Sequence, residues 1–257
     1  MASLAVATVC FNAADTISDT LQSIRAQTRH PNEVLLIDGG STDHTMEIAA
    51  EYSDILTECV SEPDLGIADA MNKAISACRS DYLMFLHADD VLAAPNVLSQ
   101  VELYLGADDL ICFPILFGSP ERCAIRRSRG FLPALNLKTT FMHQGVFAST
   151  LFLRSMGGFD EGLKIAMDYD FFLRCYRVQA KARLIDSPVV ARMADGGLGS
   201  RQDWPGLRAR LREERRIHFR HSSGMLMDLC YWAWWAAYWP YKRIQAHFRG
   251  GFSDALR

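Results

Sequence analysis

At 257 residues, 49% apolar and 22% charged, the chain has an ordinary globular composition and the length for one large α/β domain or two small ones. Seven cysteines, at 10, 59, 78, 112, 123, 175 and 230, are odd in number and form no C-x-x-C pair, which argues against a zinc ribbon or a disulfide framework and favours a reducing compartment. The net charge of −3 hides a division, because residues 1–120 hold 4 Lys/Arg against 18 Asp/Glu while residues 121–257 hold 23 against 12.

In chain order, Leu4–Cys10 alternates loosely and is rich in Val and Ala, which predicts a buried strand. Starting directly on such a segment, without a basic region, the N-terminus is not expected to be a signal peptide. Asp15 opens a helix carrying Ile17, Leu21 and Ile24 at helical spacing. Glu33–Ile37 is a second strand that runs into Asp38-Gly39-Gly40-Ser41-Thr42-Asp43. A helix through Met46, Ile48 and Ala49 follows, then a strand near Ile55–Val60, a helix over Gly66–Cys78 and the strand Tyr82–Leu86. Pro95 suits the first turn of a helix reaching Leu105, and Leu110–Phe117 reads as one strand. This β-α-β-α-β-α-β order predicts an α/β fold with a mostly parallel, Rossmann-like central sheet covered by helices on both faces. Further on, His143–Ala148 reads as a short strand, Leu151–Met156 and Asp168–Val178 as helices, and Ala182–Ala191 as an extended segment. From Asp203 the pattern is helical, first Arg-rich and then aromatic.

Open sheets of this kind bind ligands beyond the C-terminal ends of their strands, where Asp38 and Asp89 both fall. Asp38 follows four apolar residues, and an ionised carboxylate there is costly unless something bonds it. The glycines after it allow a positive φ and a close approach to the backbone, although a plain turn has the same form. In Pro63–Ile75 an acidic turn with Asp64 opens a helix that sets Asp69, Asn72 and Lys73 at i, i+3 and i+4, on nearly one face. His87-Ala88-Asp89-Asp90 follows the Tyr82–Leu86 strand, and carboxylates there suit a phosphate-bearing ligand held through a divalent metal. Asp90 could equally cap the helix at Pro95.

These segments, with Phe11-Asn12-Ala13 after the first strand, resemble the family 2 glycosyltransferases of the GT-A fold. Glu62-Pro63-Asp64-x-Gly66-x-x-Asp69-Ala70-Met71-Asn72-Lys73-Ala74-Ile75 is the longest and most specific stretch, and the resemblance covers roughly residues 3–200. It looks strongest toward bacterial enzymes of exopolysaccharide assembly such as colanic acid synthesis. The resemblance implies a UDP- or GDP-linked sugar donor, with Phe11, Asn12 and Asp38 beside the base and Asp64, Asp69 and Lys73 near base, ribose and phosphates. It implies Mn²⁺ or Mg²⁺ on Asp89. The family's usual first acid is His87 here, a better partner for Mn²⁺ than for Mg²⁺, and Asp90 is a possible substitute. In Met167-Asp168-Tyr169-Asp170 the resemblance makes Asp168 the base of an inverting transfer, although Asp168 also suits a helix N-cap. Asp170 can pair with Arg174 instead, and His143-Gln144 resembles an element near the donor phosphates or the acceptor.

Arg201, Arg208, Arg210, Arg212, Arg215, Arg216 and Arg220 precede the run Leu229–Pro240, which holds four Trp and two Tyr. Those twelve residues are too few to span a bilayer, which takes about 20. Trp and Tyr beside basic residues suit a helix lying at a membrane surface, or else one packed on the domain or in an oligomer contact. The expectation is therefore a GT-A domain over 1–200 and a helical extension over 201–257. The enzyme would transfer sugar to a glycan or lipid-linked saccharide at the inner face of the cytoplasmic membrane, with no nucleic-acid partner. The alternative is a catalytically silent nucleotide-sugar or glycan-binding protein of the same fold.

Overall fold

The computed structural model describes residues 2–119, 122–194, 201 and 203–254. β1 (Leu4–Cys10) is buried along its whole length. Its side chains alternate between two cores, Ala5, Ala7 and Val9 facing one and Leu4, Val6 and Cys10 the other. The next elements are α1 (Ile17–Arg25), β2 (Glu33–Asp38), α2 (Thr45–Ala50), β3 (Glu58–Ser61), α3 (Ile67–Ala77) and β4 (Tyr82–Phe85). They are followed by β5 (Val91–Leu92), α4 (Val97–Val101), β6 (Leu110–Cys112), β7 (Ile115–Ser119) and β8 (Arg122–Arg126). Then come β9 (Val146–Ser149), α5 (Thr150–Ser155), α6 (Met167–Arg177), β10 (Ala182–Leu184) and β11 (Ala191–Met193). Two long helices, α7 (Trp204–Arg220) and α8 (Met225–Asp254), end the chain.

The central sheet has seven strands in the order β10-β6-β9-β4-β1-β2-β3. All of its neighbouring pairs are parallel except the two that β9 makes, with β4 and with β6. α3 and α6 pack on one face, and α1 and α4 cover the other. The mostly parallel α/β sheet expected from the sequence is thus the one observed.

Three local expectations are corrected. Leu110–Phe117 is two strands, because Pro114 brings no N–H to a ladder and the chain leaves the main sheet there. β7 joins a second, four-stranded sheet of order β5-β11-β7-β8, which the sequence reading did not contain. His143–Gly145 is a 3-10 turn rather than the start of a strand. Gly145 lies so close to the Phe113 carbonyl that a Cβ would collide with it.

The expected boundary at residue 200 lies outside the described residues. α7 and α8 pair antiparallel, with Trp204 meeting Trp239 at one end and His218 stacking on Tyr231 at the other. Leu207, Leu211, Tyr231 and Trp235 form their shared core. The pair is also bound to α6, since the buried His218 receives a hydrogen bond from Trp235 Nε1 on Nδ1 and lies 3.0 Å from Tyr169 Oη on Nε2. Among the described residues no helix is long and apolar enough to cross a membrane.

Candidate active site

The loops leaving β1 and β2 are stitched together. Asn12 holds a positive φ of 49° and accepts from the Thr42 N–H at 2.9 Å, while its own N–H donates to Ser41 Oγ at 2.7 Å. Ala13 N–H donates to Thr45 Oγ1. Phe11 projects from this junction, 61% exposed. Asp38 is fully buried (0%) and accepts from the N–H groups of Gly40 and Ser41 and from the hydroxyls of Ser41 and Ser61. Burial alone pushes its carboxyl up, but the bonds from Ser41 and Ser61 outweigh that and hold it below the usual range. Gly40 sits at φ 82°, in the region that favours glycine, and a Cβ on Gly39 would push the Asp64 carboxylate aside.

Asp64 in turn accepts from the Gly66 N–H at 2.7 Å, closing the turn before α3. Asp69 accepts from the Leu65 N–H, and Lys73 is held by Glu62 at 2.8 Å and by the Pro63 carbonyl at 3.2 Å. Asp69 and Lys73 line a groove of about 390 Å³ with Glu62 and Glu161. Asn72, expected on the same face, lines that groove as well. Its amide clamps both the N–H and the carbonyl of Phe159.

Past β4, His87 Nε2 lies 2.9 Å from His143 Nε2. Burial holds these imidazoles down to about 3 and about 4, so both are neutral near pH 7 and one Nε2–H donates to the other ring. His143 Nδ1 is 3.7 Å from Asp168 Oδ2. Asp168, on the first turn of α6, keeps 26% of its side chain exposed, and burial pushes its carboxyl up to about 6. Asp89 is exposed. Asp90 is turned inward, accepts from the Ala194 N–H at 3.1 Å, and is pushed up to about 8 by burial and by the neighbouring Asp89. It therefore does not share an open face with Asp89 and is a poor substitute ligand.

The contacts gather the candidates into two sets: the loops carrying Phe11, Asn12 and Asp38 are bonded to one another and the Asp38 turn abuts Asp64 before α3, while His87 meets His143 beside Asp168. Lys164, just before α6, donates from Nζ to the Leu65 carbonyl at the start of α3. Among the described residues no three His, Cys, Asp or Glu side chains form a ready cage for a metal. The donor set fits a hard cation only in the manner of Mg²⁺ or Mn²⁺ sites, one protein carboxylate supplemented by phosphate oxygens.

One participant escaped the sequence reading. Glu213, from α7, accepts from the N–H groups of Lys164, Ile165 and Ala166 at 2.8, 2.8 and 2.9 Å, just before α6. Its only sequence signal was an acidic pair, Glu213-Glu214, inside an arginine run. Asp170 behaves as expected, bonded to Arg174 at 2.8 Å and also to His221, with 2% of its side chain exposed.

The profile of Glycosyl transferase family 2 matches residues 5–162. An uncharacterized glycosyltransferase of Mycobacterium tuberculosis is 31% identical over 232 residues, 86% of each chain. The PGL/p-HBAD biosynthesis glycosyltransferase of Mycobacterium bovis is 30% identical over 197 residues, 74% of this chain and 76% of that one. Among solved structures, S. aureus TarS 1–349 in complex with UDP superposes with a TM-score of 0.66 at 18% identity, over 87% of this chain and 67% of that one. The mannosyltransferase PcManGT from Pyrobaculum calidifontis, in complex with GDP-Man and Mn²⁺, gives 0.67 at 18%, over 100% of this chain and 76% of that one. The fold is therefore that of the GT-A glycosyltransferases, and the chain belongs to Glycosyl transferase family 2.

Proposed function

We propose that this glycosyltransferase moves a sugar from a UDP- or GDP-linked donor to a glycan acceptor with inversion at the anomeric carbon. The observation that carries the reading is Asp168: a partly exposed carboxylate on the first turn of α6, beside His143, with an affinity for protons raised toward neutrality. It takes the proton of the acceptor hydroxyl as that oxygen attacks. His143 borders both the base and His87 and suits orientation of acceptor or phosphate. Phe11 and Asn12 border the base of the nucleotide, and the turn built on Asp38 and Asp64 receives its ribose and phosphates with Asp69 and Lys73. UDP in TarS and GDP-Man with Mn²⁺ in PcManGT, on the same fold, support such a donor and a divalent cation. Asp89 would hold the cation with the donor's phosphate oxygens, His87 standing beside it. Bound there, Mn²⁺ or Mg²⁺ supplies positive charge to the departing nucleoside diphosphate.

We further infer a lipid-linked acceptor at an anionic membrane surface, in polysaccharide or glycolipid assembly. α8 supports this: Leu226, Leu229 and Ile244 are exposed on the side turned away from Tyr231 and Trp235, with Met225 and Tyr241 exposed on its flanks. This apolar stripe runs over roughly 30 Å of helix. A groove of about 480 Å³ beside it is lined by Arg212, Arg215 and Arg216 with Phe219 and Trp239, which matches anionic headgroups. Calorimetry of UDP and GDP with and without Mn²⁺, followed by nucleotide release from the matching sugar donors, tests the reading. Tight metal-dependent binding with no turnover under any acceptor would indicate a silent binding protein instead.

A further inference from the structure

We propose that Glu213 is a positioning residue for Asp168, which makes the C-terminal helices part of the active site rather than an appendage. The inference rests on the reading of Asp168 as base. α6 begins after Ala166, whose methyl group cannot cap a helix, and no side chain of its own segment does so. The segment that leads into the helix is fixed from outside, because the N–H groups of Lys164, Ile165 and Ala166 converge on the single carboxylate of Glu213. An anion at this end also meets the positive pole of the helix. Asp168 lies two residues beyond Ala166, so the orientation of the first turn of α6 sets where its carboxylate stands.

α7 grips α6 on both sides of Asp168. Before it stand the three bonds to Glu213, and directly after it Tyr169 lies 3.0 Å from His218, which is locked by Trp235 of α8. Among the described residues these three N–H groups have no other acceptor, so removing the Glu213 carboxylate releases the helix start at one point while the His218 contact and the rest of the core remain. A displacement of about 1 Å in a catalytic group can cost on the order of 10²-fold in rate.

The test compares full-length wild type, Glu213→Gln, Glu213→Ala, Asp168→Asn and the Glu213→Ala/Asp168→Asn double variant. The readouts are nucleotide release from UDP-GlcNAc and GDP-mannose with water as acceptor, and hydrogen–deuterium exchange across the chain. Expected for Glu213→Ala is a kcat lower by about 10- to 100-fold with donor KM within about threefold, and faster exchange confined to residues 164–169. Gln keeps one acceptor oxygen and should lose less. In the Asp168→Asn background the Glu213 change should cost less than about twofold more, because its effect passes through Asp168. Wild-type kcat in Glu213→Ala, or the same fold-loss in both backgrounds, overturns the proposal while leaving the base in place. Wild-type turnover in Asp168→Asn removes the base itself, a distinct failure. Should Glu213→Ala not fold, Glu213→Gln carries the comparison. Unchanged exchange at 164–169 in that variant refutes the bracing whether or not either donor turns over.

Discussion

Replacing Asp168 by Asn is the sharpest perturbation of the candidate site. Asn fills the same space and can still accept the Tyr169 N–H, now bonded to Asp168 Oδ1 at 2.7 Å, so the fold should survive. What it lacks is basicity: the amide oxygen accepts a hydrogen bond but does not take a proton. Loss of a general base costs about 10²–10⁴-fold, or roughly 3–5 kcal/mol of barrier. The neighbouring acid cannot stand in, because Asp170 is 2% exposed and is bonded by Arg174, His221 and Arg220. The acid limb of the wild-type profile follows from burial. With Asp168 pushed up to about 6, the reactive carboxylate form is about nine-tenths populated at pH 7 and one-tenth at pH 5, so kcat/KM should fall roughly tenfold between them. The assay is nucleotide release from the donor, followed from pH 5 to 8 for both proteins, with donor affinity measured separately by calorimetry. If the Asn variant keeps activity within about threefold of wild type, or retains the same acid limb, the base lies elsewhere.

Asp89→Ala should abolish the Mn²⁺-dependent part of UDP or GDP binding at an unchanged melting temperature, since the side chain is exposed; calorimetry with equal affinity in the variant would count against it. Asp38→Ala should destabilise the fold by about 1–3 kcal/mol, because the donors on Cys10, Gly40, Ser41 and Ser61 lose a buried charged acceptor. Its folded pKa is depressed, so its stabilisation is present above about pH 4 and is lost as pH falls through the lower folded value, which urea titrations from pH 3 to 7 would register. Leu226→Asp with Leu229→Asp, both exposed on α8, should release the protein from anionic vesicles without unfolding the α7–α8 core, whereas removing the helix would strip Tyr231 and Trp235 from that core. Wild-type binding should weaken as salt rises, and a wild-type protein that stays in the supernatant at low salt refutes the membrane reading.

The early strands and helices were legible in the sequence because their information is local. Leu4–Cys10 and Tyr82–Leu86 are apolar runs of strand length, and Ile17, Leu21 and Ile24 repeat at helical spacing, so backbone preference and burial agree. Asp38 was legible as a strand-end acid, and the family motif carried Asp64, Asp69, Lys73 and Asp168. The sequence left open whether the aromatic run packs on the domain, joins an oligomer contact or lies at a membrane; in the structure α7 covers Tyr231 and Trp235, while Leu226 and Leu229 are exposed. Other features needed the tertiary structure. The antiparallel insertion of β9 depends on long-range pairing with β4 and β6, and the second sheet depends on where Pro114 releases the chain. The partners of the polar groups were equally hidden. His87 meets His143, Asn72 meets Phe159, and Glu213 meets the start of α6, each across a long stretch of chain. Spacing encodes which face of an element is apolar, but an unpaired N–H or imidazole accepts any suitable partner, and only the convergence of distant loops and helices decides which one it finds.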